Sequence, residues 1–314
     1  MPETHLPEPQ PSEPRLRRSL MLTPGNRGER LAKAVTLPSD CVVFDLEDGV
    51  PPAEKDRARR AIADALLSLD FGGRERCVRI NGTETADSAL DLESLPLDRL
   101  DSLMIPKVES AGALRRFDVR LAAAERRAGR TTPVELIVSI ETPKGLLKAA
   151  EIAEASPRAT ALFFGSGDFT AVTGGGVTAD ALLYPRSVMV VAAAAAGLQA
   201  IDAAYFAAVK DAEATRQDAL AARALGFCGK LVFHPVQVDV ANEVFAPTEA
   251  EVARARRIVQ AYRDNLERGH GTAVVDGIFI AVDMLPPAER TLRTARQIAG
   301  RLEKGTAAKG IANV

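Results

Sequence analysis

Short apolar runs punctuate the chain, each closing on a polar or charged residue, and most are separated by stretches whose apolar positions recur with helical spacing. The runs are Ser19-Leu-Met-Leu-Thr23, Asp40-Cys-Val-Val-Phe-Asp-Leu-Glu-Asp48, Arg76-Cys-Val-Arg-Ile-Asn81, Ser102-Leu-Met-Ile-Pro-Lys107, Val134-Glu-Leu-Ile-Val-Ser-Ile-Glu141, Ala161-Leu-Phe-Phe164, Gly197-Leu-Gln-Ala-Ile-Asp202 and Gly229-Lys-Leu-Val-Phe-His-Pro235. Their apolar residues are largely consecutive, as in strands covered on both faces. Helices are predicted between them over 29–35, 51–69, 111–128, 144–155, 179–196 and 211–225. Strands alternating with helices predict an α/β fold. About eight such repeats predict a (β/α)8 TIM barrel, with its reactive groups at the C-terminal strand ends.

Past the last strand, Thr248 to Glu267 has a strong helical period and Arg268-Gly-His-Gly271 loosens the chain. Two short runs flank Asp276-Gly277, a dipeptide that favours a tight hairpin, and Asp283 follows the second run. A final helix is predicted from Pro287 to Leu302. An appendage on glycine hinges that carries an acid has the makings of a lid able to bring a proton-transfer group over a barrel mouth. The expected organisation is a disordered tail over 1–16, a catalytic barrel over 17–267, and a C-terminal lid segment with its helix over 268–314.

Composition narrows the function. With 314 residues, 46% of them hydrophobic, the chain can bury the core of one large domain. A net charge of -2 without a basic block excludes an obvious nucleic-acid partner, and no apolar run is long enough for a membrane span. Cys41, Cys77 and Cys228 are isolated, so neither a disulfide framework nor a thiolate metal site is indicated, and a reducing cytoplasm is expected. The Pro- and Glu-rich start lacks the basic and apolar regions of a signal peptide.

Candidate chemistry gathers at the strand ends. Consecutive strands of a parallel sheet usually lie side by side, so Glu141 and Asp168 should meet at one rim. Gly165 and Gly167 should allow a sharp turn before Asp168. Two hard oxygen ligands with room for water and substrate describe an Mg²⁺ site; the competing reading is a pair of strand-end caps. Asp45, Glu47 and Asp48 repel one another unless a cation is near. Arg79, pointing inward from the third strand, is the candidate cation, with a purely structural salt bridge as the alternative. The turn Pro24-Gly-Asn-Arg-Gly28 could hold phosphate or be an ordinary strand-to-helix turn, and His234 could serve the site or only hydrogen-bond a loop. The spacing of Gly165 and Gly167 does not complete a dinucleotide fingerprint.

In order along the chain, Arg18-Ser-Leu-Met-Leu-Thr-Pro-Gly25, Phe44-Asp-Leu-Glu-Asp-Gly-Val50, Val78-Arg-Ile-Asn81, Ile105-Pro-Lys-Val-Glu109, Ile140-Glu-Thr142, Phe164-Gly-Ser-Gly-Asp168 and Gly226-Phe-Cys-Gly-Lys-Leu-Val-Phe-His-Pro235 form a series. The series resembles the citrate lyase β-subunit-like (CitE-like) family of CoA-ester lyases, within the HpcH/HpaI aldolase superfamily. That resemblance implies Mg²⁺ held by Glu141 and Asp168, Arg79 facing a substrate carbonyl, Glu47 and Asp48 holding metal-bound waters, and Gly167 in the substrate site. It also implies that Asp283 exchanges a proton with a substrate in a neighbouring subunit of a homotrimer or hexamer. The implied reaction cleaves a malyl-CoA or citramalyl-CoA type of 3-hydroxyacyl-CoA to acetyl-CoA and a 2-oxo acid. The alternatives are the β subunit of a citrate lyase acting on an acyl carrier protein, or a non-catalytic metabolite-binding barrel.

Overall fold

The computed structural model describes residues 13–203 and 207–311, with side chains described through 301. Eight parallel strands close into a barrel: β1 Ser19–Pro24, β2 Cys41–Asp45, β3 Glu75–Arg79, β4 Ser102–Ile105, β5 Glu135–Ile140, β6 Ala159–Phe164, β7 Gln199–Asp202 and β8 Gly229–Val232. β1 closes the ring by pairing with both β2, Leu20 opposite Cys41, and β8, Leu20 opposite Leu231.

Alternation along each strand explains why the runs are apolar throughout. Leu20, Cys41, Val43, Cys77, Met104, Ile137, Phe163, Ile201 and Leu231 share a cluster that fills the ring, while Val42, Phe44, Val78, Leu103, Leu136 and Phe164 pack in a separate cluster with helix residues. A side chain as completely buried as Phe44 or Phe164 contributes about 1.5–3 kcal/mol. Several helices start at cap residues: Ser110 Oγ accepts from Ala113 N at 3.2 Å, and Thr248 forms a capping box with Glu251.

The helix expected over 144–155 is two short ones, Pro143–Leu146 and Ala149–Ala153, broken at Lys148. The break lets Leu146, Ala149 and Ile152 all face inward while Leu147 stays exposed. Of the expected tail, residues 1–12 lie outside the described residues. Arg15 is held beneath the barrel, its Nε donating to Glu135 Oε1 at 2.8 Å.

Under the ring, Arg17 is completely buried and every nitrogen has a partner. Nε and Nη2 donate to Glu75 at 2.8 Å, Nη2 also to Glu135 at 2.7 Å, and Nη1 to Thr160 and Gln199 at 2.9 and 3.0 Å. Ser102 donates to Glu75 at 2.6 Å.

The C-terminal part has its own small core, in which Ala255, Ile258 and Tyr262 of the helix Glu249–Glu267 meet Ala273, Val275, Ile280 and Ala288. β9 Ala273–Val275 and β10 Ile278–Ile280 pair antiparallel as expected. Asp276 and Gly277 take φ of 53° and 77°, the left-handed pair that a two-residue hairpin turn needs. The final helix, Leu285–Ile311, extends beyond both expected ends and runs to the floor of its own barrel. There Gln297 Nε2 donates to Pro14 O at 2.8 Å and Arg301 Nη1 to Asp40 Oδ1 at 2.6 Å. This segment is therefore anchored at the end of its own barrel opposite the mouth. No described helix is long and apolar enough to cross a membrane.

Candidate active site

Asp45, the last residue of β2, is completely buried, and its carboxylate accepts from Glu47 N at 2.8 Å and Gly49 N at 2.9 Å. The same carboxylate grips Arg79, the last residue of β3, through Nε and Nη2, both at 2.7 Å. Nη1 is left to face Glu47 Oε2 at 3.1 Å. Burial opposes the guanidinium charge, but the hydrogen bonds and attraction of Asp45, with that of Glu47, hold its pKa above the ordinary arginine range. Arg79 is thus a fixed cation with one edge turned to the mouth.

Glu141 follows β5 and is 1% exposed, and its Oε1 has no hydrogen-bond partner. Burial pushes its carboxyl up to about 8, with Arg79 opposing the rise and Asp168 and Glu47 reinforcing it. Asp168 lies in the first turn of the helix Ser166–Thr173, so it is presented by a helix rather than by the turn that the two glycines suggested. Gly165 is needed for space: its φ is an ordinary -89°, but a Cβ there would sit 2.6 Å from Glu141 Cγ. The two acids predicted to meet do so, both bordering one cavity.

Lys107 is the residue that sequence reasoning missed. It follows the proline after β4 with a φ of 50°, which swings its side chain across the rim. Nζ donates to Glu47 Oε1 at 2.7 Å and Asp48 Oδ2 at 2.5 Å, and lies 3.8 Å from Asp168 Oδ1. Burial raises the Asp48 carboxyl, but the Lys107 hydrogen bond and charge outweigh it and leave that pKa below the usual value. The signal was the acidic triplet itself, which holds more charge than Arg79 can balance. Lys55 was missed too; it donates to Leu46 O, Glu47 O and Asn81 Oδ1 at 2.6, 2.9 and 2.6 Å and so fixes the acidic turn.

Above the ring these groups border a cavity of about 220 Å³, lined by Arg79, Glu141 and Asp168, by Gly165, Ser166 and Gly167, and by the apolar Phe163, Leu231 and Phe233. Beyond Phe233 a groove of about 400 Å³ is bordered by Arg30, Lys33, Lys210 and His234, and the first three have no ion pair among the described residues. His234 also caps the helix Pro235–Val244, its Nδ1 accepting from Val236 N at 3.3 Å, which is the loop-bonding role. Arg79, Glu47, Gly167, Glu141 and Asp168 are therefore brought together, and Asp48 joins them through Lys107. Asp283 is not. It borders a separate cavity with Glu251 and Arg254.

Among the described residues no group of three or more His, Cys, Asp or Glu is disposed to hold a metal. Two carboxylates suit Mg²⁺, which keeps several positions for water and substrate. The fit rests on the unpartnered Glu141 Oε1, whose charge burial disfavours until a cation arrives.

The HpcH/HpaI aldolase/citrate lyase profile matches residues 18–235, the whole barrel. The chain belongs to this family. A (3S)-malyl-CoA thioesterase of Cereibacter sphaeroides is 36% identical over 284 residues, 90% of this chain and 95% of the relative. The mitochondrial citramalyl-CoA lyase of Mus musculus is 34% identical over 294 residues, 90% and 87% of the two chains. Among solved structures, Mycobacterium tuberculosis CitE in complex with magnesium, acetoacetate and coenzyme A is similar with a TM-score of 0.69 and 33% identity, covering 89% of this chain and 98% of that one. The family match ends where the barrel does, leaving the C-terminal helices and hairpin outside it.

Proposed function

We propose that this family member is an Mg²⁺-dependent carbon–carbon lyase that cleaves a malyl-CoA or citramalyl-CoA type of 3-hydroxyacyl-CoA to acetyl-CoA and a 2-oxo acid. The observation that carries this reading is the buried, unpartnered oxygen of Glu141 beside Asp168, in a small cavity that also holds the fixed edge of Arg79. The names of the C. sphaeroides and mouse relatives support the substrate class.

Glu141 and Asp168 would hold Mg²⁺, and Glu47 and Asp48, linked to Asp168 through Lys107, would hold its waters. When bound, the ion supplies a Lewis acid for the hydroxyl and carboxylate oxygens of the substrate. As the substrate hydroxyl gives its proton to water at the rim and becomes the carbonyl of the 2-oxo acid, the carbon–carbon bond breaks, its electrons pass into the thioester, and the Arg79 Nη1 edge meets the negative oxygen that forms. The guanidinium cannot swing away, because Asp45 holds its other two nitrogens. The apolar wall of Phe163, Leu231 and Phe233 limits water around the enolate. Arg30, Lys33 and Lys210, cations at the same rim with no ion pair among the described residues, suit the phosphates of CoA.

Proton return is assigned to Asp283 of a neighbouring copy, in a homotrimer or hexamer. Asp283 is exposed and away from its own mouth, and Val274, Phe279 and Val282 beside it are 68%, 63% and 64% exposed, an apolar edge that a second copy would cover. Free cysteines suit a cytoplasmic setting.

The test incubates the purified chain with Mg²⁺ and synthetic malyl-CoA and citramalyl-CoA, resolving acetyl-CoA, free CoA and 2-oxo acid by chromatography. Acetyl-CoA and 2-oxo acid should appear in equal amounts, and Glu141→Ala and Asp168→Ala should each lower the rate about 10²–10³-fold. Free CoA without 2-oxo acid would mean thioester hydrolysis and end the lyase reading.

A further inference from the structure

On the side of the barrel away from the mouth, a cavity of about 600 Å³ lies between residues 14–18, the helices Ala179–Ala195 and Ala212–Leu225, and the terminal helix. Six arginines border it, Arg15, Arg17, Arg18, Arg223, Arg290 and Arg293, and among the described residues no carboxylate does. Four of these are balanced by acids set back from the cavity: Arg15 by Glu135 at 2.8 Å, Arg17 by Glu75 at 2.8 Å, Arg18 by Asp40 at 2.8 Å and Arg223 by Glu251 at 2.9 Å. Arg290 and Arg293 have no ion pair among the described residues.

These last two are not scattered surface charges. Arg290, Arg293, Thr294 and Gln297 fall at i, i+3, i+4 and i+7 of the terminal helix, so they share the face turned into the cavity. A helix packed on a barrel usually buries an apolar stripe there. Here that face offers donors, and the wall opposite offers more. A cleft lined with one sign of charge concentrates the opposite ion, and guanidinium groups match the paired oxygens of phosphate and carboxylate.

We propose that this cavity binds a small oxyanion carrying two or more negative charges, phosphoryl or polycarboxylate, between the barrel and the terminal helix. Arg290 and Arg293 supply the uncompensated charge from the helix, and Arg18 and Arg223 supply donors from the barrel. An anion so placed touches both parts, so its binding joins the C-terminal unit more firmly to the barrel that carries it. The site is separate from the mouth and does not depend on the chemistry assigned there.

The experiment is calorimetric titration of the full chain, free of Mg²⁺ and at low ionic strength, with inorganic pyrophosphate and with tricarballylate. The parent for this test carries Arg30→Gln, Lys33→Gln and Lys210→Gln, which removes the three cations assigned to CoA at the mouth. One of the two probes should bind and raise the melting temperature. Adding Arg290→Gln and Arg293→Gln should weaken that binding about tenfold or more and flatten its salt dependence. Restoring charge with Arg290→Lys and Arg293→Lys should recover part of it, and a ligand-free melt of each variant shows that it is folded. Glu141→Ala, which disables the mouth, should leave binding unchanged. Binding that ignores the Arg290 and Arg293 changes, or no binding of either probe, overturns the proposal.

Discussion

Glu75 under the barrel floor and Glu141 at its mouth are both almost completely buried, at 4% and 1% exposure, yet they titrate in opposite directions. Burial alone would raise both. Beneath the floor it is outweighed by the charge and hydrogen bonds of Arg17 and the hydroxyl of Ser102, so the Glu75 carboxyl stays below its usual range. At the mouth, Arg79 is committed to Asp45, Asp168 and Glu47 add negative charge, and the Glu141 carboxyl rises to about 8. The difference is one of completeness. Charges beneath the floor close on one another within the chain, whereas those at the mouth leave Glu47 Oε2 and Glu141 Oε1 without hydrogen-bond partners. A buried network finished by its own residues holds the fold; one left open is a place for something else.

The contrast can be broken most forcefully from below. Arg17→Met leaves the buried Glu75 without its cation and Glu135 with Arg15 alone, and should cost about 3–5 kcal/mol in denaturant unfolding. A loss under about 1 kcal/mol would mean that the floor network is not closed in the way described.

The mouth should respond to pH in the opposite sense from the floor. The Glu141 pKa is raised on folding from 4.5 to about 8, so the folded chain keeps a proton that the unfolded chain releases in that interval. Its contribution to stability therefore falls as pH rises from 4.5 to 8 in the metal-free protein, by a few kcal/mol at most. Glu75, with its lowered pKa, contributes stability above its unfolded value of 4.5 and loses it as pH falls through the folded value. Melting curves of the parent and Glu141→Gln across this range should diverge toward pH 8 and converge again when Mg²⁺ is added. Curves that track each other without metal would remove the claim that Glu141 is uncompensated.

The smallest effect is expected at Lys107. Its side chain is 36% exposed, so Lys107→Met should change stability by no more than about 1 kcal/mol. The change also removes a cation 3.8 Å from Asp168 Oδ1, and Mg²⁺ should then bind several-fold more tightly in calorimetry. Unchanged or weaker Mg²⁺ binding would show that Lys107 does not compete for this carboxylate.

The barrel was legible because parallel strands buried on both faces leave continuous apolar runs, and acids just beyond those runs fall at one rim. Asp276-Gly277 marked its hairpin for the equally local reason that both residues tolerate left-handed backbone. Lys107 was not legible, since a lysine after a strand-ending proline looks solvent-bound until its positive φ is known. Asp168 was placed at the right rim but on the wrong element, because a glycine pair reads as a turn whether or not a helix begins between its members. The terminal helix shows the limit most clearly. Its periodicity announces a packed face, but nothing local says that Gln297 and Arg301 will meet Pro14 and Asp40.

The tight fit of Gly165 against Glu141 bears on how this enzyme could be retailored. A single added methyl at that position would intrude on a carboxylate proposed to hold the metal, so Gly165 itself is closed to redesign. A laboratory selection for a bulkier or smaller acyl chain is better aimed at Phe163, Leu231 or Phe233, the large apolar side chains that line the same cavity.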